Sequence, residues 1–188
     1  MHNIIVFASG GGTNTQAIIN HFKNSTLARV ALIVCNKPGA GVLNIAQTEN
    51  IPYLLIDKKS FYQTLLLEQL SDYRPSLIVL AGFLWKIPES LIHAFPNKII
   101  NIHPALLPKY GGPGMYGQKV HQAVLNAHEK ESGITIHFVN EHYDSGATIL
   151  QAHCPVLAHD DEHTLATRIH TLEHFYFPLV IEFLIRQV

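Results

Sequence analysis

The sequence predicts a single α/β domain: a mostly parallel, Rossmann-like sheet with helices on both faces and one antiparallel strand near the C-terminal end. Three observations carry this. Short β-branched runs alternate with longer stretches of helical periodicity through the first hundred residues. Those runs are apolar at nearly every position, the pattern of strands buried on both faces. After Pro104, two strand-like runs follow each other with no helix between them, which calls for a hairpin-like return. A length of 188 residues suits one domain spanning 1–188.

The first strand is Asn3 to Ala8. Ala17, Ile18, Ile19 and Phe22 then give Asn14 to Phe22 the spacing of a helix. Ala28 to Cys35 is the second strand, ended by Asn36-Lys37-Pro38-Gly39; Val42 to Thr48 is a short helix and Tyr53 to Ile56 a third strand. Ser60 is expected to cap one helix running through Leu65-Leu66-Leu67 to Leu70. Leu77 to Ala81, Pro88 to Ala94 and Ile99 to Ile102 continue the alternation as strand, helix and strand. A Gly/Pro-rich stretch, Pro108 to Gly114, leads to a helix near Val120 to Ala127. The strands Gly133 to Phe138 and Thr148 to Val156 follow, and Thr164 to Ile185 closes the chain as a long helix expected to bend at Pro178.

Composition narrows the function classes. Charged residues make up 14% of the chain and hydrophobic ones 47%, against about 25% charged in typical soluble domains, so a large core forms and disorder is excluded. A net charge of −1 lacks the basic excess of a phosphate-neutralising nucleic-acid binder, so no nucleic-acid partner is expected. Cys35 and Cys154 stand far apart and match no metal-ligand spacing. The first apolar run breaks at Ser9-Gly10 without a preceding basic stretch, and no apolar run is long enough to span a bilayer. A cytoplasmic protein with no membrane partner is expected; the oligomeric state is left open.

Three motifs can carry chemistry. Ser9-Gly10-Gly11-Gly12-Thr13-Asn14 follows the first strand and opens the first helix, where backbone N–H groups suit an anion. Thr13 or Asn14 is also a candidate cap for that helix. The loop fails as a dinucleotide fingerprint, since Thr15 stands where the third glycine belongs, and as a P-loop, so a small phosphate monoester is left. Asn101-Ile102-His103-Pro104 ends the fifth strand; residues i and i+2 share a sheet face, so an amide and an imidazole project side by side at the strand edge where ligands bind. The amide suits a developing oxyanion and the imidazole a proton. Asp144-Ser145-Gly146 puts a carboxylate in a loop near that edge, where it is expected to orient His103 and raise its pKa. Each motif alone has a plainer alternative: a tight turn, a histidine satisfied at a strand end, an Asx-type turn before Gly146. The pairs His159/His163 and His170/His174 have i,i+4 spacing but no His-Glu-x-x-His pattern and read as solvated helix faces; no metal is expected. No Gly-x-Ser-x-Gly elbow is present.

Together with Leu80-Ala81-Gly82-Phe83, Ala105-Leu106-Leu107-Pro108 and His137, these motifs resemble the phosphoribosylglycinamide formyltransferases, a family of 10-formyltetrahydrofolate-dependent enzymes, over nearly the whole chain. The resemblance implies transfer of a formyl group from 10-formyltetrahydrofolate, a co-substrate, to the amine of glycinamide ribonucleotide in purine biosynthesis. It implies Asn101, His103 and Asp144 as the catalytic trio, and Gly12, Thr13, Asn14 and Glu173 as substrate ligands. Leu84, Trp85, Lys86 and Ile87, with Asn101, would line the folate pocket, and Lys59 would be a basic folate contact. Residues 1–100 would form the phosphate half and 101–188 the catalytic and folate half. Two departures stand out: Trp85 occupies a position where many members carry arginine, and Tyr110 to His121 is longer than the family's usual loop. The same histidine–aspartate chemistry serves formyltetrahydrofolate deformylase, which normally adds an N-terminal domain, whereas this chain begins almost directly at its first strand. Methionyl-tRNA formyltransferase, longer and tRNA-binding, fits less well. From a different class, a non-catalytic folate- or nucleotide-binding module is disfavoured by the intact trio.

Overall fold

The computed structural model describes residues 1–188. Its strands are β1 (His2–Ala8), β2 (Ala28–Cys35), β3 (Tyr53–Leu55), β4 (Pro75–Leu80), β5 (Ile99–His103), β6 (Glu131–Phe138) and β7 (Thr148–Pro155). Its helices are α1 (Thr13–Phe22), α2 (Gly41–Thr48), α3 (Lys58–Phe61), α4 (Thr64–Asp72), α5 (Glu89–Ala94), α6 (Gln118–Asn126) and α7 (Glu162–Ile185). The strands form one sheet in the order β3-β2-β1-β4-β5-β6-β7. β6 is antiparallel to both of its neighbours, so it is the one reversed member of an otherwise parallel sheet.

Period-two alternation along apolar strands divides the core between the two faces. In β1, Ile4, Val6 and Ala8 enter the cluster that packs beneath α1, α2 and α7, whereas Ile5 and Phe7 enter the cluster beneath α3, α4 and α5. β2 and β4 divide in the same way: Ile33 and Cys35 against Leu32 and Val34, Leu77 and Val79 against Ile78 and Leu80. Removing each such side chain from water contributes about 1.5–3 kcal/mol. This two-sided burial is why these strands read as continuous apolar runs.

Strand order reverses between β1 and β4, so the loops after these strands part and leave a crevice at their C-terminal ends. The crevice floor is stitched by Ser9: its N–H donates to Gly82 O at 3.1 Å, and its hydroxyl accepts from Leu84 N at 3.0 Å.

Two helix starts differ from the sequence reading for a capping reason. Asp57, not Ser60, is the N-cap of α3, with Ser60 at N3 of a capping box, and the single helix expected there is two, α3 and α4, parted where the backbone is extended at Gln63, φ −93° and ψ 148°. Helix α7 starts two residues early for the same reason, with Asp161 as cap and Thr164 its partner, and it continues through Pro178 to Ile185.

The turn from β6 to β7 closes tightly. Phe138 N donates to Ala147 O at 2.9 Å, and a Cβ on Gly146 would collide with Phe138 O. The obstruction is backbone and has no rotamer to relieve it. Gly146→Ala is therefore expected to cost about 1–3 kcal/mol, the usual range for overpacking, and to lower Tm by about 2–10 °C. Thermal unfolding followed by circular dichroism checks this; an unshifted Tm would mean that the turn is not held as described.

Candidate active site

The antiparallel register of β5 on β6 builds the centre of the site. Asn101 lies opposite His137 and His103 opposite Thr135. Polar residues of both strands thus share one face, while Ile100, Ile102, Ile134 and Ile136 are buried in the core on the other. His137 Nδ1 donates to Phe138 O at 2.9 Å, which leaves Nε2 a lone pair to accept from Asn101 Nδ2 at 3.1 Å. That bond fixes the amide with its nitrogen towards His137, and the second N–H of Nδ2 is left to face the cavity that Asn101 lines. Thr135 accepts from Leu107 N at 3.0 Å and donates to Ala105 O at 2.7 Å, fixing the chain just beyond His103.

His103 is 4% exposed, and its Nε2 donates to Tyr110 O at 2.7 Å. Nδ1 is then the nitrogen free to take a proton, and it lies 3.7 Å from Asp144 Oδ2. The other carboxylate oxygen, Oδ1, is 3.7 Å from His137 Nε2. These separations couple charge without being hydrogen bonds. What holds the carboxylate is Gly112 N, which donates to Oδ2 at 2.8 Å. Asp144 therefore does not form the local turn its sequence context allows; that role falls to Asn140, whose Oδ1 accepts from His142 N and Ser145 Oγ. Asp144 instead has a left-handed backbone at φ 49°, a conformation costly for a non-glycine residue and common where a side chain must be aimed.

The loop after β5 is thus part of the site through its backbone. The carbonyl of Tyr110 fixes His103 and the N–H of Gly112 fixes Asp144. Glu129 anchors this loop, accepting from Lys109 Nζ at 2.8 Å and Tyr110 OH at 2.9 Å.

One expectation is corrected here. Asp144 does raise the proton affinity of His103, but burial acts more strongly in the other direction, and a small repulsion from His137 adds to it. The net pKa lies below the ordinary 6.5. Resting His103 is neutral at pH 7. The carboxyl of Asp144 is itself held below its usual range, because the nearby imidazoles of His137 and His103 and the N–H bond from Gly112 together outweigh its burial.

At the other end of the cavity, α1 begins without a side-chain cap. Its N-cap is Gly12 in the left-handed region at φ 83°, and neither Thr13 nor Asn14 caps the helix as expected. A Cβ on Gly12 would press into Ile45 and Val42, at 2.8 and 2.9 Å, so glycine is required on both counts. The opening N–H groups stay available for an anion. Asn14 Nδ2 donates to Glu173 Oε2 at 2.8 Å, and its Oδ1 is buried without a partner. Burial pushes the Glu173 carboxyl up to about 7, against the opposing effect of the Asn14 bond.

One cavity of about 490 Å³ joins these features. It is lined by residues 9–14, by Asn101, His103 and Asp144, by His170 and Glu173, and by Leu84. A smaller recess of about 70 Å³ adjoins it, lined by Trp85, Lys86, Ile87, Phe83 and Val139 together with Asn101, His137 and Asp144. Trp85 packs against Phe61 and Phe83, with ring centroids 5.4 and 6.1 Å away. His170 and His174 stack ring on ring, 6.0 Å apart.

Comparisons with known proteins give the family. A sequence profile described as formyl transferase matches residues 2–181. A Bacillus subtilis phosphoribosylglycinamide formyltransferase is 39% identical over 97% of this chain and 94% of its own length. The chain belongs to the formyl transferase family. The crystal structure of glycinamide ribonucleotide transformylase 1 from Symbiobacterium toebii superposes with a TM-score of 0.91 at 33% identity, over all of this chain and 89% of that one. A chloroplastic phosphoribosylglycinamide formyltransferase of Vigna unguiculata is 41% identical over 95% of this chain, which spans only 59% of that relative. The chain likewise spans 14% of a Drosophila melanogaster trifunctional purine biosynthetic protein, 42% identical over 97% of this chain.

In this formyl transferase the structure brings together nearly every residue singled out from sequence. Asn101, His103, Asp144, Gly12, Thr13, Asn14, Glu173 and Leu84 line the larger cavity, and Trp85, Lys86 and Ile87 the recess beside it. Lys59, exposed on α3, lines neither. Residues from both sides of the expected division at residue 100 line the larger cavity. His137 carries part of the resemblance but is given no role from sequence, although polar Thr135 and His137 alternating with Ile134 and Ile136 repeat the pattern of Asn101 and His103 between isoleucines.

Because the Asp144 charge raises the His103 pKa, Asp144→Asn is expected to move it still further below 6.5. The imidazole then takes its proton only at lower pH, and turnover at pH 7 falls by about 10² or more. NMR titration of the imidazole in both proteins checks this. A His103 pKa that stays or rises in the variant would contradict the assigned coupling.

Proposed function

We propose that the protein transfers the formyl group of 10-formyltetrahydrofolate to the primary amine of 5-phosphoribosylglycinamide, giving formylglycinamide ribonucleotide and tetrahydrofolate in purine biosynthesis. The observation that carries this reading is the position of Asn101 and Asp144, which line both cavities. On one side lies the uncapped N-terminus of α1, suited to a phosphate, with Glu173 placed for a ribose hydroxyl. On the other lies a recess walled by Phe83, Trp85, Ile87 and Val139 with Lys86 among its lining, suited to a flat aromatic ligand with an anionic tail. The two reactants therefore meet at Asn101 and Asp144.

As the substrate amine adds to the formyl carbon, negative charge gathers on the formyl oxygen. The free N–H of Asn101 Nδ2 meets that charge, and its aim is preset by His137. The same charge raises the proton affinity of His103, whose Nδ1 takes, through solvent at Asp144, the proton that the attacking amine sheds, so the imidazolium forms as the oxyanion appears. A low resting pKa keeps the ring neutral until then. As the bond from the formyl carbon to the folate nitrogen breaks, His103 returns that proton through the same solvent to the departing nitrogen and ends neutral. Expected alongside are small-molecule partners only and a cytoplasmic setting; no helix of the chain is long and apolar enough to cross a membrane.

The test is direct assay of the purified protein with both substrates. Tetrahydrofolate formation that depends on the ribonucleotide, matched by formylated nucleotide, is expected. Formate released without any nucleotide would point to deformylase chemistry instead, and no reaction would leave the reading without support.

A further inference from the structure

A phosphate dianion at the opening of α1 faces a charge problem. Two acids, Asp144 and Glu173, line the same cavity. So do three imidazoles, but burial holds His103 and His170 below their ordinary pKa and brings His121 down to about 4. The helix end supplies only about half a unit of positive charge. Of all the residues on the lining, Lys37 alone carries a permanent cation.

Its place in the fold is fixed by backbone. Lys37 lies just after β2, beside the switch point. Its N–H donates to Cys35 Sγ at 3.4 Å, and its carbonyl accepts from Cys35 Sγ at 3.3 Å and from Ala40 N at 3.3 Å. The turn is pressed onto the glycine loop, where Val42 N donates to Gly10 O at 3.1 Å and a Cβ on Gly41 would come within 3.0 Å of Gly11 O. The ammonium, by contrast, makes no ion pair and no hydrogen bond. The hydrogen bonds of this residue fix its backbone and leave the charge free.

We propose that Lys37 binds the phosphate of the acceptor substrate and sets the preference for a phosphorylated over an unphosphorylated acceptor. This rests on the reading that a phosphorylated acceptor occupies the cavity. The glycine loop supplies shape and directed N–H groups; Lys37 supplies the charge that offsets the dianion near two carboxylic acids. A flexible, strongly hydrated ammonium acts as a point charge, so arginine can replace it in part and a neutral residue cannot.

The experiment pairs binding with turnover. Titration calorimetry with ribose 5-phosphate on wild type, Lys37→Ala and Lys37→Arg needs no catalysis. Lys37→Ala is expected to weaken binding about 10- to 100-fold at low ionic strength. The loss should shrink as salt screens the pair, and Lys37→Arg should recover most of it. In turnover, the loss in Lys37→Ala should fall on KM for the ribonucleotide, with KM for the folate and kcat within about twofold. The unphosphorylated nucleoside should be used equally by both proteins. Equal affinity for ribose 5-phosphate in wild type and Lys37→Ala would overturn the proposal, as would equal losses with phosphorylated and unphosphorylated acceptors. Wild type that binds ribose 5-phosphate in a Lys37-dependent way yet transfers no formyl group would instead overturn the proposed reaction and leave the phosphate site standing.

Discussion

The site depends on the register of β5 against β6. Because side chains alternate along a strand, a slip of one residue would send Asn101 and His103 into the core and bring Ile100 and Ile102 to the cavity. Four isoleucines on one face of this strand pair oppose such a slip, since exposing them forfeits their burial. The same register places His137 where its lone pair can hold the Asn101 amide. Core packing and the aim of the Asn101 amide are therefore set by one alternation, read on its two faces.

From that strand pair the site is completed by backbone groups. The Tyr110 carbonyl and the Gly112 N–H of the loop after β5 hold His103 and Asp144. Held by backbone, these side chains have little freedom, which suits the proposed reaction, whose charge must find donors already in position.

Much of this was legible in the sequence, for identifiable reasons. Strands buried on both faces announce themselves as apolar runs, and the β-hairpin after α6 by the absence of a helix between two of them. Asn101 and His103 stand out because two polar residues interrupt an apolar strand at its functional edge. The backbone contacts of Tyr110 and Gly112 were not legible, because a carbonyl and an N–H are the same at every residue. Whether Asp57 or Ser60 caps α3 is a choice both side chains allow, and no residue pattern marks the extended Gln63 that parts α3 from α4. The direction of the His103 shift depends on how deeply the ring is buried, which no local pattern records. Lys59, plausible from its neighbourhood in sequence, is exposed on α3 and lines neither cavity. Lys37 was visible only as part of a turn until that turn was packed on the glycine loop.

The central claim is that His103 acts as negative charge develops, and hardly at all in holding the substrates. Its most direct test is His103→Ala, with ribonucleotide affinity measured by calorimetry beside single-turnover formyl transfer. The account requires affinity within a few-fold of wild type and transfer slowed by about 10² to 10⁴, the range for a general acid–base group. Losses of similar size in affinity and transfer would contradict it and make His103 a structural residue.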